Sequence, residues 1–129
     1  MTLLIDSSAI LNLYMDERYA PLIGAYTTPL ARYELGNAVW KRVHLLKSTK
    51  LEEGLRLLDA LDTLYLKMNK ITELDPGETI KLADEDGITY YDATYITTAL
   101  DHGLTLVTDD RRLYNSAEKH TKVSRSNDI

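Results

Sequence analysis

Four acidic residues, Asp6, Glu34, Asp92 and Asp110, stand in or at the ends of apolar segments that lie far apart in the chain: LLIDSSAI, ARYELGNAVWK, ITYYDATYITTAL and LTLVTDDRRLY. A carboxylate at the end of a buried segment sits at the rim of a core, and several rims can converge on one cleft. The chain has no Cys and only three His. A carboxylate cluster in such a chain suits hard divalent cations, Mg²⁺ or Mn²⁺, held by oxygen ligands.

Each acid also has a purely structural reading. Asp6 can cap the helix that follows it, and an Asp cap stabilises by about 1 kcal/mol. Asp92 stands three residues after Thr89, the spacing of a capping box. Asp110 sits where a helix from Arg111 begins, a favourable place for negative charge. Glu34 can be one charge on a solvated helix face. Caps explain the position of these acids but not their company. Asp6 follows one apolar strand and Asp109 and Asp110 follow another, while Glu34 has Asn37 on the same helical face at i+3. Acids gathered in space repel unless a cation or protons intervene.

The elements that would position them alternate. Residues 2–5 form a short buried strand and residues 7–14 open a helix. Residues 17–26 read as a second short helical stretch around Pro21. Thr28-Pro29 starts the next helix, with Thr as N-cap and Pro at the first position. Leu35, Val39, Val43 and Leu46 follow on one face of it. Residues 48–69 form the clearest helix, capped by Ser48, with Leu51, Leu55, Leu58, Leu61, Asp62 and Tyr65 near one stripe. Residues 71–74 give a brief strand, and Asp75-Pro76-Gly77 a turn. Helices at 78–85 and 89–102 end at Asp86-Gly87 and Gly103. A strand at 104–108, a polar helix at 111–120 and an edge strand at 121–125 complete the chain. This alternation predicts a parallel sheet covered on both faces, with sites beyond the carboxyl ends of its strands, where Asp6 and Asp110 lie.

A length of 129 residues fits one domain, 1–129, and 44% hydrophobic residues suffice for a core. Without Cys there are no disulfides or zinc–thiolate sites, which is compatible with a reducing cytoplasm. No apolar run is long enough for a membrane span, and MTLLIDSS lacks a basic leader. The net charge of −5 argues against simple electrostatic capture of nucleic acid. It leaves a nuclease open, because a bound metal offsets grouped acids.

The strings LLIDSSAIL, YELGNAVWK, YYDATYITTAL and LVTDDRRLY, in that order and spacing, resemble PIN-domain proteins, most of all the VapC-type toxins of toxin–antitoxin systems. The resemblance covers nearly the whole chain. It implies a compact α/β fold with a central parallel sheet, a metal-dependent endoribonuclease using Mg²⁺ or Mn²⁺, a homodimer, and inhibition by a cognate antitoxin. Carried over by motif, Asp6 is the acid of D-[ST]-[SN], and Glu34 that of E-x-x-N with Asn37 as partner. Asp92 is the acid of Y-D-A, and Asp110 that of T-x-D. Asp109, one residue earlier, is a further candidate ligand. In this reading Asp6 and Asp92 hold the main ion, with Glu34 and Asp110 contributing directly or through water. Ser7 and Thr108 hydrogen-bond the carboxylates or a metal-bound water.

An RNA substrate needs positive charge beside such a cleft. Arg111 and Arg112, directly after Asp110, are the candidates; Lys41, Arg42, Lys47, Lys50, Lys119, Lys122 and Arg125 read as ordinary surface. Leu13, Tyr14 and Leu22 suit a partner surface or the core alike. His44, His102 and His120 fall on or at the ends of helices and receive no catalytic role. Two other classes compete. A receiver-type phosphoryl-transfer domain also places Asp after its first strand, but LLIDSS lacks a second acid two residues after Asp6. A non-catalytic PIN-like interaction module would keep the same fold without turnover.

Overall fold

The runs LLI and TLV are the strongest strand signals in the chain, and they pair with each other. In the computed structural model, which describes residues 2–129, β1 (Leu3–Ile5) lies parallel to β4 (Thr105–Val107), with Leu3, Leu4 and Ile5 opposite Thr105, Leu106 and Val107. Successive strand side chains point to opposite faces. Both members of each adjacent pair, Leu4 with Ile5 and Leu106 with Val107, are fully buried, so both faces of the sheet are covered.

β2 (Tyr26–Thr27) and β3 (Asn69–Lys70) extend the sheet on one side and β5 (Val123–Ser124) on the other. The order among the described residues is β3-β2-β1-β4-β5, all parallel. On one face Ile5 and Val107 pack with α1 (Ser7–Met15), α2 (Pro29–Trp40) and α3 (Leu51–Lys67) through Ile10, Leu13, Leu35, Val39, Leu61 and Tyr65. On the other, Leu4 and Leu106 pack with α4 (Pro76–Asp86), α5 (Tyr90–His102) and α6 (Arg111–Ala117) through Leu82, Tyr95, Ile96, Ala99 and Leu113. This is the α/β arrangement expected from the alternating pattern. Among the described residues no helix is long and apolar enough to cross a membrane.

Local departures have local causes. Residues 17–26 form no helix beyond a single 3₁₀ turn at Ala20–Leu22; Glu17 and Gly24 adopt φ of 57° and 76°, and the chain then enters β2. The third strand is Asn69–Lys70 rather than 71–74, although the Ile71 N–H still donates to Thr27 O. Asp75-Pro76-Gly77 opens α4 instead of forming a free turn: Asp75 Oδ1 accepts from Glu78 N and Pro76 takes the first helical position. Ser48 does not cap α3, whose N-cap is Lys50; its hydroxyl donates to Arg42 O. Thr28 holds the N-cap position of α2 without a side-chain capping bond. Leu46 leaves the buried face because Lys41–Leu45 is a π-helical turn, which shifts the rotation per residue. At the start of α3 the packing side carries Gly54, against Val39 and Val43, so Leu51 and Leu55 remain exposed.

That contact makes a matched pair of substitutions informative. A Cβ at Gly54 would lie 2.7 Å from Val43 Cγ2 and 3.3 Å from Val39 Cγ1, both on stiff β-branched side chains. One at helical Gly36 meets nothing within 4 Å. Gly54→Ala is expected to destabilise by about 1–3 kcal/mol in chemical denaturation, and Gly36→Ala to stabilise by up to about 1 kcal/mol.

Candidate active site

Asp6 follows β1, and its N–H continues the sheet ladder by donating to Val107 O at 3.1 Å. Its carboxylate is 3% exposed and surrounded by donors. Oδ1 accepts from Ser8 Oγ at 2.7 Å and from the Ala9 N–H at 2.9 Å, and Oδ2 accepts from Thr108 Oγ1 at 2.5 Å. Burial pushes Asp6 up to about 7; the bonds from Thr108, Ala9 and Ser8 oppose this, and the Glu34 charge adds to it. A carboxylate offers about four acceptor positions, so three donors leave room for one more partner.

Glu34, half-buried on α2, is no solvated surface charge. Its Oε1 accepts from Tyr95 Oη at 2.6 Å and Ser7 Oγ at 3.1 Å. Burial raises its pKa, Tyr95 and Ser7 lower it, and Asp110 raises it further. Asp92 lies in the first turn of α5. There Thr89 Oγ1 accepts the Asp92 N–H at 3.0 Å, while the Asp92 carboxylate makes no capping bond in return. Burial, then Asp110 and Glu34, push Asp92 up to about 6, and Arg112 pulls the other way. Asp110 caps α6 through Oδ1 and the Leu113 N–H at 3.0 Å, and its own N–H donates to Thr108 Oγ1.

The four acids thus arrive from β1, α2, α5 and the β4–α6 turn and act on one another electrostatically. Ser7, Glu34, Asn37 and Asp92 line a cleft of about 720 Å³, with Tyr33, Tyr91 and Lys41 also in its walls. Asn37 is exposed there and is not hydrogen-bonded to Glu34. Arg112 is near enough to Asp92 to lower its pKa. Arg111 is exposed at the start of α6.

Asp109 is directed elsewhere. Its Oδ1 accepts from Ser126 N at 2.9 Å, and Oδ2 from Ser126 Oγ at 2.5 Å and Asn12 Nδ2 at 2.7 Å. Burial alone would raise its pKa, but these bonds hold it below the ordinary value. It ties the C-terminal segment to α1 instead of facing the cleft. Likewise Leu13 and Leu22 are core residues. His44 stacks on Trp40, His102 bonds Thr98 O, and His120 bonds Asp86.

Tyr95 is the site residue that sequence reasoning missed. It is 1% exposed, with its phenol held well above its usual pKa by burial and by Glu34. Its signal was the i, i+3 spacing from Asp92 on α5.

The donor set suits a hard cation: carboxylate oxygens with raised pKa values in mutual repulsion. Among the described residues no three Asp, Glu or His side chains stand close enough to share one ion as they lie. Glu34 Oε2, the Asp92 carboxylate and Asp110 Oδ2 accept no hydrogen bond among the described residues and are free to close on one.

The sequence model for the family described as PIN domain matches residues 3–119. The chain belongs to the PIN domain family. Among curated relatives, Exonuclease VapC9 of Pyrobaculum aerophilum is 38% identical over 85 residues, 65% of this chain and 60% of that protein. Ribonuclease VapC3 of the same organism is 32% identical over 125 residues, 88% of this chain and 92% of that protein. The crystal structure of PAE2754 from Pyrobaculum aerophilum superposes with a TM-score of 0.82 at 26% identity, over 99% of this chain and 85% of that one. That of FitAcB from Neisseria gonorrhoeae gives 0.63 at 19% identity, over 99% and 100%, a likeness of fold.

The raised acids make this PIN chain pH-sensitive when metal-free. Asp6 and Asp92 titrate in the fold at about 7 and about 6, against an ordinary 3.8. Protonation therefore stabilises the fold, fully below the ordinary value, and the contribution is lost as pH rises through 6 and 7. In EDTA, moving from pH 8 to pH 6 is expected to add roughly 1–2 kcal/mol, about 4 °C in melting temperature. Asp6→Asn should flatten most of that dependence; an unchanged profile would refute it.

Proposed function

We propose that this PIN chain is a metal-dependent endoribonuclease, the toxin of a toxin–antitoxin pair, using Mg²⁺ or Mn²⁺ to hydrolyse RNA phosphodiester bonds. The observation that carries the reading is the acid group. Four carboxylates from four elements gather at the rim of a parallel sheet, where burial, and then neighbouring like charge, holds Asp6, Glu34 and Asp92 above their ordinary pKa. The name of the relative matched over 88% of the chain, a ribonuclease, supports the same activity.

In this reading Asp6 and Asp92 hold the main ion and Glu34 and Asp110 complete its surroundings. A bound Mg²⁺ or Mn²⁺ supplies a water of lowered pKa as nucleophile and positive charge against the leaving oxygen. The chain's own residues do the positioning. Thr108, Ser8 and the Ala9 N–H fix the Asp6 carboxylate, and Tyr95 and Ser7 fix Glu34 through Oε1, leaving Oε2 without a hydrogen bond. Arg112, close to Asp92, and Arg111 beside it are placed to meet phosphate. Asp109 is assigned a structural role by its bonds to Ser126 and Asn12.

The cognate antitoxin and a second copy in a homodimer belong to the same proposal, as does action in the cytoplasm. Exposed Trp40, Leu45, Leu46, Leu51 and Leu55 offer apolar surface for such partners. A non-catalytic PIN module is the second reading, favoured by the open spacing of the acids.

The test is incubation of the purified chain with linear and with covalently closed circular RNA, in Mg²⁺, Mn²⁺ or EDTA. We expect both RNAs to be cut, only with metal, and Asp92→Asn to lose at least about 100-fold in rate. Asp110→Asn should lose about tenfold or more, and Asp109→Asn should stay within about threefold. Degradation of linear RNA alone would make the enzyme an exonuclease. No cleavage with metal bound would leave the interaction module.

A further inference from the structure

We propose that Tyr33 and Tyr91 are stacking platforms for the nucleobases of the RNA taken by this cleft; this rests on the ribonuclease reading above. The two rings are 76% and 63% exposed, although a large aromatic ring gains from burial. They come from different helices, α2 and α5, and each directly precedes an acid of the site, Glu34 and Asp92. Both line the same cleft as those acids.

Tyr33 and Asn37 on α2, and Lys41 just past its end, stand at successive i, i+4 positions on this wall: a ring, an exposed amide and a cation. That sequence of groups matches the parts of a nucleotide. A ring stacks on a base, an amide meets a base edge, and an ammonium meets a phosphate. Tyr91 also borders a second recess of about 250 Å³, shared with Leu30 and flanked by Ile71 and Thr94. A base on Tyr91 would thus have apolar space beside it.

Two physical arguments favour stacking on these rings. A duplex hides its base faces in its own stack, so an exposed ring can engage only splayed bases. The cleft, about 720 Å³, is also in the size range of small-ligand pockets, about 300–1,000 Å³. Charge points the same way. The chain carries −5 overall, and Lys41, Arg111 and Arg112 are the cations at or beside the acids. Phosphate neutralisation is therefore a small part of the affinity, and stacking a large one.

Binding is measured in EDTA by anisotropy, using a short unstructured RNA that carries a fluorescent purine analogue, and its pre-formed duplex as competitor. Tyr33→Ala and Tyr91→Ala should each weaken binding roughly tenfold. The double Tyr→Phe variant should bind as wild type and still quench the analogue. The duplex should compete at least about tenfold more weakly. The slope of log affinity against log salt should be no steeper than about −2. Both rings are exposed, so the variants should melt within about 2 °C of wild type.

Alanine variants binding within about twofold of wild type, equal competition by duplex, or no RNA binding by wild type would each overturn the proposal. So would alanine variants that keep RNA binding but lose binding to a co-expressed protein partner. Normal binding and cleavage by the alanine variants, with cleavage still lost in Asp92→Asn, sinks this inference alone. Stacking as predicted, without cleavage under any metal, sinks the ribonuclease reading alone.

Discussion

A buried carboxylate at the end of the central strand pair governs the rest of the structure. Asp6 is 3% exposed, and such a group is tolerated only when donors surround it. Its donors come from two places at once: Ser8 and Ala9 at the start of α1, and Thr108 just past β4. That requires β1 and β4 to be neighbours in one register, with Ile5 opposite Val107, so that Asp6 and Thr108 leave the sheet together. A slip of one residue would turn Thr108 to the other face and move Leu4 and Ile5 out of their separate cores. The same hydroxyl accepts the Asp110 N–H, so one threonine couples the first acid to the turn that carries the last.

Capping and membership of the acid group are consequently not alternatives at these positions. Asp6 and Asp110 cap α1 and α6, and both take part in the acid group. A cap uses one carboxylate oxygen and fixes the side chain's rotamer, which holds the other oxygen at the sheet rim. At α5 the division differs. Thr89 does the capping, and Asp92, at the position that a reciprocal capping box would use, keeps its carboxylate for the cleft.

The framework was legible because it rests on local chemistry. Apolar runs marked β1 and β4, Gly87 and Gly103 marked helix ends in left-handed conformation, and the four acids stood out as polar exceptions. What escaped was decided by contacts distant in sequence. Residues 17–26 carry a helix-like pattern, yet Tyr26 and Thr27 are claimed by the β1 edge. Leu51 and Leu55 look like core, but Gly54 is the side that approaches Val39 and Val43. The T-x-D spacing favours Asp110 over Asp109, but the structural task of Asp109 shows only when Ser126, near the far end of the chain, takes its carboxylate. Tyr95 reads as an aromatic core residue, and it is one; only the arrival of α2 alongside α5 gives its hydroxyl Glu34 to hold.

The acid group also sets the energetic character of the metal-free molecule. Most of the fold buries apolar surface and satisfied polar groups, whereas the rim concentrates like charges that the described cations nearby, Arg112 beside Asp92 among them, offset only in part. Burial, and after it the neighbouring like charges, favours the protonated forms, so Asp6 and Asp92 titrate near neutrality instead of near 4. A divalent cation is a better remedy on the proposed reading, because it relieves repulsion among several acids at once. It must then displace the protons they hold, so cation affinity rises with pH across the interval in which Asp92 and then Asp6 ionise. On that reading the unfavourable charge cluster would make the site responsive to the ion, at a cost in stability that the two apolar cores on either side of the sheet absorb.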